Sequence, residues 1–590
     1  MSDFIYSNNS IERGKLSKEI RSIYHEDIPA VEEYHGDWGS LAVSRNLYNR
    51  FQSYETTEHI CVVIGGPSLC FSTEDLSDEF VVSGTKAIYY RWLEGKIKWD
   101  EDLSGPFAIL IVNKNTKEIQ CITDLMAFIP VYSFQDETHI MISTHVDALG
   151  RASIQQDNVD VTSMVDFILN GVITFPYTIY NKVKQIAPAT EHVFNDFSTE
   201  LQYKSYWVPF ETNRYKSINK AADDTRQGLL KYVRNVSGET SIIAQFISGG
   251  EDSRTLSGLL PKERKRDAYI FLDQMNREGK VAKKAANAYG TNFNLSLRSK
   301  LHYLEILAPC VDLVGSGAQY KHAHTFGFHK SCKLSDYPAV FGGLFSDALL
   351  KGARIKKIRG SGRLPFLPQV KRKGYSSANL LKSSTFTPEV LLDVTSRRQS
   401  HLKYVSSFRS ESSEEWFELW PSSMNMNIPN LHVNRRLFPS YEPFMSNDIV
   451  KISAEVPQKW KLNRRLFHRA AKPLLKPTMW LLHGDGRLPY FPWYINFFVG
   501  STIWCGQQLA TMTGLVKGDQ GPWGEMDFQD SQQWEKAISE YSDGLNIMSH
   551  VLMEKNVKRL FNQSSLDSTQ RINLMQVIYI NHQLNGKSES

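Results

Sequence analysis

Residues 241–254 read Ser-Ile-Ile-Ala-Gln-Phe-Ile-Ser-Gly-Gly-Glu-Asp-Ser-Arg, an apolar run that breaks into a turn rich in glycine and hydroxyls. Ile242, Ile243, Phe246 and Ile247 read as a buried strand. Ser248, Gly249, Gly250, Asp252 and Ser253 then form a loop, and a helix opens at Thr255. Such a turn presents N–H groups and serine hydroxyls to a phosphate at the positive end of a helix. Its glycines let the main chain approach the anion, and Asp252 offers an oxygen ligand for Mg²⁺. It is not the lysine-bearing GxxxxGK[ST] loop, because no lysine follows the glycines. A glycine pair after a strand also serves as a plain connection, so the rest of the chain has to decide.

At 590 residues the chain is long enough for two or more cores. The apolar fraction of 41% and aromatic fraction of 12% describe an ordinary globular protein, and a net charge of +5 over this length points to no particular partner. Six scattered cysteines, with no CxxC pair, are expected to be reduced thiols in a cytoplasmic protein. The N-terminus lacks a basic stretch followed by an apolar core. No run reaches the roughly 20 apolar residues of a membrane span. Neither nucleic acid nor membrane is expected as a partner.

The first 205 residues are rich in short strand-like runs, at 59–64, 107–112, 119–122 and 139–143, bounded by turn residues. They predict a layered, largely antiparallel α+β domain over 1–205. From about 220 to 590, strands at 242–247, 268–272 and 339–341 alternate with helical stretches, and the last 150 residues read as mainly helical. That alternation predicts a parallel sheet with covering helices. Residues 351–373 hold nine Lys or Arg and no acid, either a solvated loop or a basic lid over a polyanion.

The string Ser-Gly-Gly-x-Asp-Ser (248–253) resembles the pyrophosphatase loop of synthetases that split ATP into AMP and pyrophosphate. Among them it is most similar to the asparagine synthetase family, whose relatives are the β-lactam synthetases and lasso-peptide cyclases. Further matches follow in the family's order: Leu-Ser-Gly-Pro-Phe-Ala (103–108), Asp-Leu-Met-Ala-Phe-Ile-Pro-Val-Tyr (124–132), residues 166–172 and 178–188, and Arg-Glu-Gly-Lys-Val-Ala (277–282). Phe-Gly-Gly-Leu-Phe-Ser-Asp-Ala-Leu-Leu-Lys-Gly (341–352) resembles the loop that closes over pyrophosphate, and 441–448 with 456–457 resemble the signposts of the C-terminal helices. The resemblance implies an Ntn-hydrolase-like layered sandwich followed by a PP-loop parallel-sheet domain with a helical C-terminal part. It implies ATP held by Ser248, Gly249, Gly250, Asp252, Ser253, Leu272, Gly342 and Gly343, and Mg²⁺ held by Asp252 and Asp347.

Three departures stand out. Ser-Asp-Phe (2–4) replaces the Cys-Gly-hydrophobic start of glutamine-hydrolysing members, and a serine does not supply the thiolate that step needs. Ala127 stands where glycine is usual, as does Phe345, and Leu344 cannot accept a proton. No lysine matches the family's charge-steadying one near the end of the domain; His483 and Arg487 are the candidates for that catalytic role, with Lys472 and Lys476 as competitors.

What the resemblance implies is an ATP-dependent ligase that adenylates a carboxylate and joins it to an amine, with ring closure favoured once glutamine is not the nitrogen source. The substrate is then a small-molecule or peptide carboxylate, and in the macrolactam case a precursor peptide and its processing protease are the partners. An asparagine synthetase using ammonia, or glutamine hydrolysed by a separate subunit, remains open. So does a non-catalytic pseudo-synthetase that binds nucleotide or a partner.

Overall fold

The computed structural model describes residues 3–71, 83–194, 202–238, 240–358, 370, 383–483, 486–512, 527–562 and 565–588. Two six-stranded antiparallel sheets open the chain. The first runs Val183–Gln185, Tyr132–Gln135, Ile140–Ser143, Phe4–Ser7, Gly39–Ser44, Val31–Gly36. The second runs Gln202–Ser205, Thr190–Phe194, Ile119–Thr123, Phe107–Asn113, His59–Gly65, Tyr54–Glu55.

Side-chain alternation decides how these sheets stack. Phe4 and Tyr6 point into a core shared with Ile60, Val62, Ile64, Leu110 and Val112 of the other sheet. Ile5, between them, points the opposite way and packs with Leu16, Ile20, Leu149 and Ile168 of three helices. On the far side, Cys61, Val63, Ile109 and Ile111 meet Ile88 and Tyr89 of helix Gly84–Leu93. The order is therefore helices, sheet, sheet, helix. Both faces of each central strand are covered, which is why those strands read as unbroken apolar runs.

Downstream, helix α1 (Ile218–Ser237) leads into a five-stranded sheet built from β1 (Ile242–Phe246), β2 (Lys265–Leu272), β3 (Asn292–Leu297), β4 (Val340–Phe341) and β5 (Ser440–Tyr441). Its order is β3-β2-β1-β4-β5 and every pairing is parallel. Helices α2 (Glu251–Leu259) and α3 (Arg277–Tyr289) connect the first three strands. Chain order runs outward one way from β1 to β3 and the other way through β4 and β5. The switch lies between β1 and β4, where a crevice opens beyond the carboxyl ends of the strands. Helices α4 (Ser346–Leu350), α5 (Pro429–Leu437), α6 (Arg465–Ala471) and α7 (Trp493–Met512) follow. No helix among the described residues is long and apolar enough to cross a membrane.

The helix expected from Thr255 begins four residues earlier, at Glu251, with Gly250 as its extended N-cap. Asp252 and Ser253 thus belong to its first turn, where Glu251 and Asp252 face the positive end of the helix. Of the basic run 351–373, residues 359–369 and 371–373 lie outside the described residues.

Candidate functional site

The Gly-rich turn follows β1, and the turn 342–345 follows β4, so both lie at the switch point. A Cβ on Gly343 would stand 3.6 Å from the Cβ of Asp252, which places the turns in contact. On Gly342 it would collide with the Glu442 carboxylate, so that position admits no side chain. Glu442 is fully buried, accepts from the Leu344 N–H at 2.9 Å, and burial pushes its pKa up to about 8. Phe345 has φ 68°. Its ring packs edge-on against Phe128, 5.2 Å away, in the turn after Asp124. In that turn Ala127 has φ 49°. Both positions where glycine was expected keep the left-handed backbone that favours glycine.

Within the first turn, the Ser253 hydroxyl accepts from the Ser248 N–H at 3.0 Å and lies 3.0 Å from the Ser248 hydroxyl. The Gly249 N–H donates to the Glu278 carboxylate at 2.6 Å. A protein anion therefore rests where the turn presents its donor. Arg254, fully buried, donates to the carbonyls of Gly249, Leu481 and Leu482, each at 2.7–2.8 Å. That tie brings in His483, whose Nε2 would stand 3.7 Å from a Cβ on Gly250.

The two aspartates meet on one cation. Lys351 Nζ donates to both oxygens of Asp252, at 2.6 and 2.7 Å, and also to Asp347. Glu251 stands 3.6 Å from the same ammonium and is held at 2.9 Å by Arg464. The Phe467 ring lies 5.0 Å beneath it. Burial and the neighbouring carboxylates Asp347 and Glu251 push Asp252 up to about 6, with Lys351 opposing. Burial pulls Lys351 down, but Asp252, Glu251 and Asp347 outweigh it, so the ammonium stays charged.

This cluster forms one wall of a cavity of about 1510 Å³. Lys351, Lys357, Arg464, Arg465, Arg469, Lys472 and Arg487 line it, against only Glu251 and Asp347. Asn463 and Arg464 take left-handed backbone angles ahead of α6, the turn from which Arg464 reaches Glu251. Nη1 of Arg464 is buried with no hydrogen-bond partner among the described residues. Phe491, Tyr494 and Phe497 border the cavity's other side.

The structure thus brings Ser248, Gly249, Gly250, Asp252, Ser253, Gly342, Gly343, Asp347, His483 and Arg487 to one crevice. Leu272 is instead buried under α3, only 1% exposed among Ile270, Ala282 and Ala286. Sequence reading passed over Lys351, although it lies one helical turn from Asp347 and so on the same face. It also passed over Glu278 as a partner of the turn, and Arg464, whose backbone no sequence pattern announces.

Phosphates fit the donor set: one N–H already carries a carboxylate, two hydroxyls stand beside it, and the cavity is basic. Magnesium does not fit the arrangement as it stands. Its two expected ligands share an ammonium, and no three carboxylate, imidazole or thiol groups among the described residues form a metal-binding cluster.

Asp3 immediately precedes the strand Phe4–Ser7 and is 1% exposed. It is bound by Arg436 at 2.7 and 2.8 Å and by Arg435 at 3.0 Å, both from α5. Burial pushes its carboxyl up, but the Arg436 and Arg435 guanidiniums prevail and hold it far below the usual range. Burial also raises the thiols of Cys61, up to about 12, and of Cys70, Cys121 and Cys310.

Among known proteins, the family profile described as a glutamine amidotransferase domain matches residues 83–207. No curated protein matches the chain. Two solved structures are similar at low level. One, described as the allosteric regulatory enzyme of purine biosynthesis, has 11% identity and a TM-score of 0.25. The other, glutamine phosphoribosylpyrophosphate amidotransferase from B. subtilis complexed with ADP and GMP, has 10% identity and a TM-score of 0.23. In each case the similarity covers 50% of this chain and 65% of the other. The matched stretch, residues 83–207, holds strands of both antiparallel sheets, and over it the chain is similar to glutamine amidotransferase domains.

Proposed function

We propose that this chain is an ATP-dependent ligase that activates a substrate carboxylate and joins it to an amine of the same molecule, as in peptide macrolactam or β-lactam closure. One observation carries the reading: two Gly-containing turns meet at the switch point of a parallel sheet and open into a large cavity lined by seven cations. ATP, as substrate, supplies the adenylyl group that turns the carboxylate into an acyl donor, with pyrophosphate leaving.

The chain's own residues then have defined tasks. Ser248, Gly249, Gly250 and Ser253 bind phosphoryl oxygens once Glu278 gives up the Gly249 N–H. Lys351, Arg464 and Arg487 neutralise the charge that builds on the leaving group. His483, beside Gly250, is the base placed to take the amine's proton. Positioning and charge supply most of the catalysis in such a site. The cation-rich walls suit a substrate with several carboxylates, such as an acidic peptide, and the aromatic edge suits its apolar neighbours.

The first domain serves as scaffold in this reading. Asp3 is locked by α5, and burial holds the thiols of Cys61, Cys121 and Cys310 away from thiolate. A second reading, a non-catalytic binder of nucleotide or partner, is favoured by the two self-pairings, Glu278 on Gly249 and Lys351 on both aspartates.

Exchange of labelled pyrophosphate into ATP, run with a panel of carboxylates including small acidic peptides, separates the two. The ligase reading expects exchange with at least one acidic peptide, lowered about tenfold or more by Arg464→Met. ATP bound in calorimetry with no exchange from any carboxylate leaves the binder. No affinity for ATP at all sinks the ligase and the nucleotide binder, and leaves only a binder of another partner.

A further inference from the structure

We infer that the ammonium of Lys351 is the resident cation of this site, seated between Asp252 and Asp347 where the resemblance puts magnesium. The geometry is that of a filled seat rather than a passing surface ion pair. Lys351 is 5% exposed, both oxygens of Asp252 lie within 2.7 Å of its nitrogen, and Asp347 accepts from it as well. The Phe467 ring closes the remaining side.

Local sequence sets the seat. Asp347 lies in α4 and Lys351, the residue that caps that helix, follows it by four positions; Gly352, at φ 63°, turns the chain away directly afterwards. Asp252 reaches the same point from the first turn of α2. Magnesium demands oxygen ligands at about 2.0–2.1 Å in near-octahedral array. It would have to compete with an ammonium already hydrogen-bonded to both oxygens of Asp252, and a displaced Lys351 would carry its charge into a wall that already holds Lys357, Arg464 and Arg487. Fixed cations therefore take over the neutralising task at this position. The seat itself does not depend on the nucleotide reading; only the identity of the anion that Lys351 faces rests on it.

Manganese, which reports its own binding by electron paramagnetic resonance, tests this on the full chain without nucleotide. Wild-type protein is expected to give no saturable Mn²⁺ uptake. Lys351→Met and Lys351→Gln should each gain one site, about tenfold or more tighter than any wild-type binding, because two carboxylates lose their resident charge. The double variant with Asp252→Asn should lose it again. One Mn²⁺ taken up by wild type and abolished by Asp252→Asn overturns the inference, and that measurement needs no Lys351 variant to fold. Folded Lys351 variants that take up none overturn it too. A chain that activates no carboxylate passes or fails these arms all the same, so the fate of the ligase reading is scored apart.

Discussion

Asp3, just before a strand, and Asp252, in the helical turn just after one, are each clamped by cations from a distant part of the chain, yet the two clusters differ in what surrounds them. Asp3 and its two arginines are at most 2% exposed, with neighbours on every side. Around Lys351 the exposure is graded: 5% for the lysine, 23% for Asp252 and 66% for Asp347, which faces the cavity. The sealed cluster joins the start of the chain to α5 and leaves no room for a ligand. The open one has charge to offer a solute. Glu442, another buried carboxylate, is paired with no cation among the described residues, and burial raises its pKa to about 8.

The sharpest way to break the comparison is to remove the anion of the sealed cluster. Asp3→Asn leaves two buried guanidiniums facing each other and should cost about 3–5 kcal/mol in urea unfolding. Lys351→Met should cost less, about 2 kcal/mol, because Asp347 can turn to water although Asp252 loses its partner. Equal losses would show that the second cluster is structural as well.

Glu442 gives the next effect. Its folded pKa of about 8 lies above its ordinary 4.5, so the folded state holds a proton that the unfolded state has lost across that window. Stability from this group is complete below pH 4.5 and falls as pH rises toward 8, at most by about 1.4 kcal/mol per pH unit. Glu442→Gln should flatten that decline in thermal melts from pH 5 to pH 8; an unchanged slope refutes the assignment.

Smaller still is the self-pairing of the turn. Glu278→Ala should free the Gly249 N–H and strengthen pyrophosphate binding about fivefold in calorimetry, the scale of one charge-assisted hydrogen bond gained. Unchanged affinity would mean that the turn is not the anion's seat. Last, Ala127→Gly should add about 0.5 kcal/mol by relieving a left-handed alanine, net of glycine's extra chain entropy. Phe345→Gly should not stabilise, since the same relief is outweighed by loss of the ring against Phe128.

The sequence was legible where covalent neighbours decide the outcome. Unbroken apolar runs announced strands covered on both faces, and the order of Ile242, Ala268 and Val340 announced a sheet flanked by helices. Gly249, Gly342 and Asp347 lie close to Asp252 because they follow strands that alternate with helices. Pairings across hundreds of residues were not legible: nothing near Asp3 points to Arg435 and Arg436. Nor was the early start of α2, which hangs on an extended Gly250 rather than on the hydroxyl cap that usually marks a helix. Lys351 was hidden by its company, one cation in a run of nine. The glycine substitutions Ala127 and Phe345 looked like lost function in the string; in three dimensions each keeps the backbone and changes only the packing.

Strands β4 and β5 lie side by side, yet all of residues 342–439 come between them in the chain. Bringing those ends together is a long closure whose entropic cost grows only as the logarithm of its length, but it has to wait for its second half to exist. A nascent polypeptide emerging from the ribosome carries an unpaired edge on β4 until Tyr441 has been made. During that interval the half-built sheet is open to other chains, so truncations ending before residue 441 should aggregate, and production of the intact protein should gain from slow translation and chaperones that guard the vacant edge.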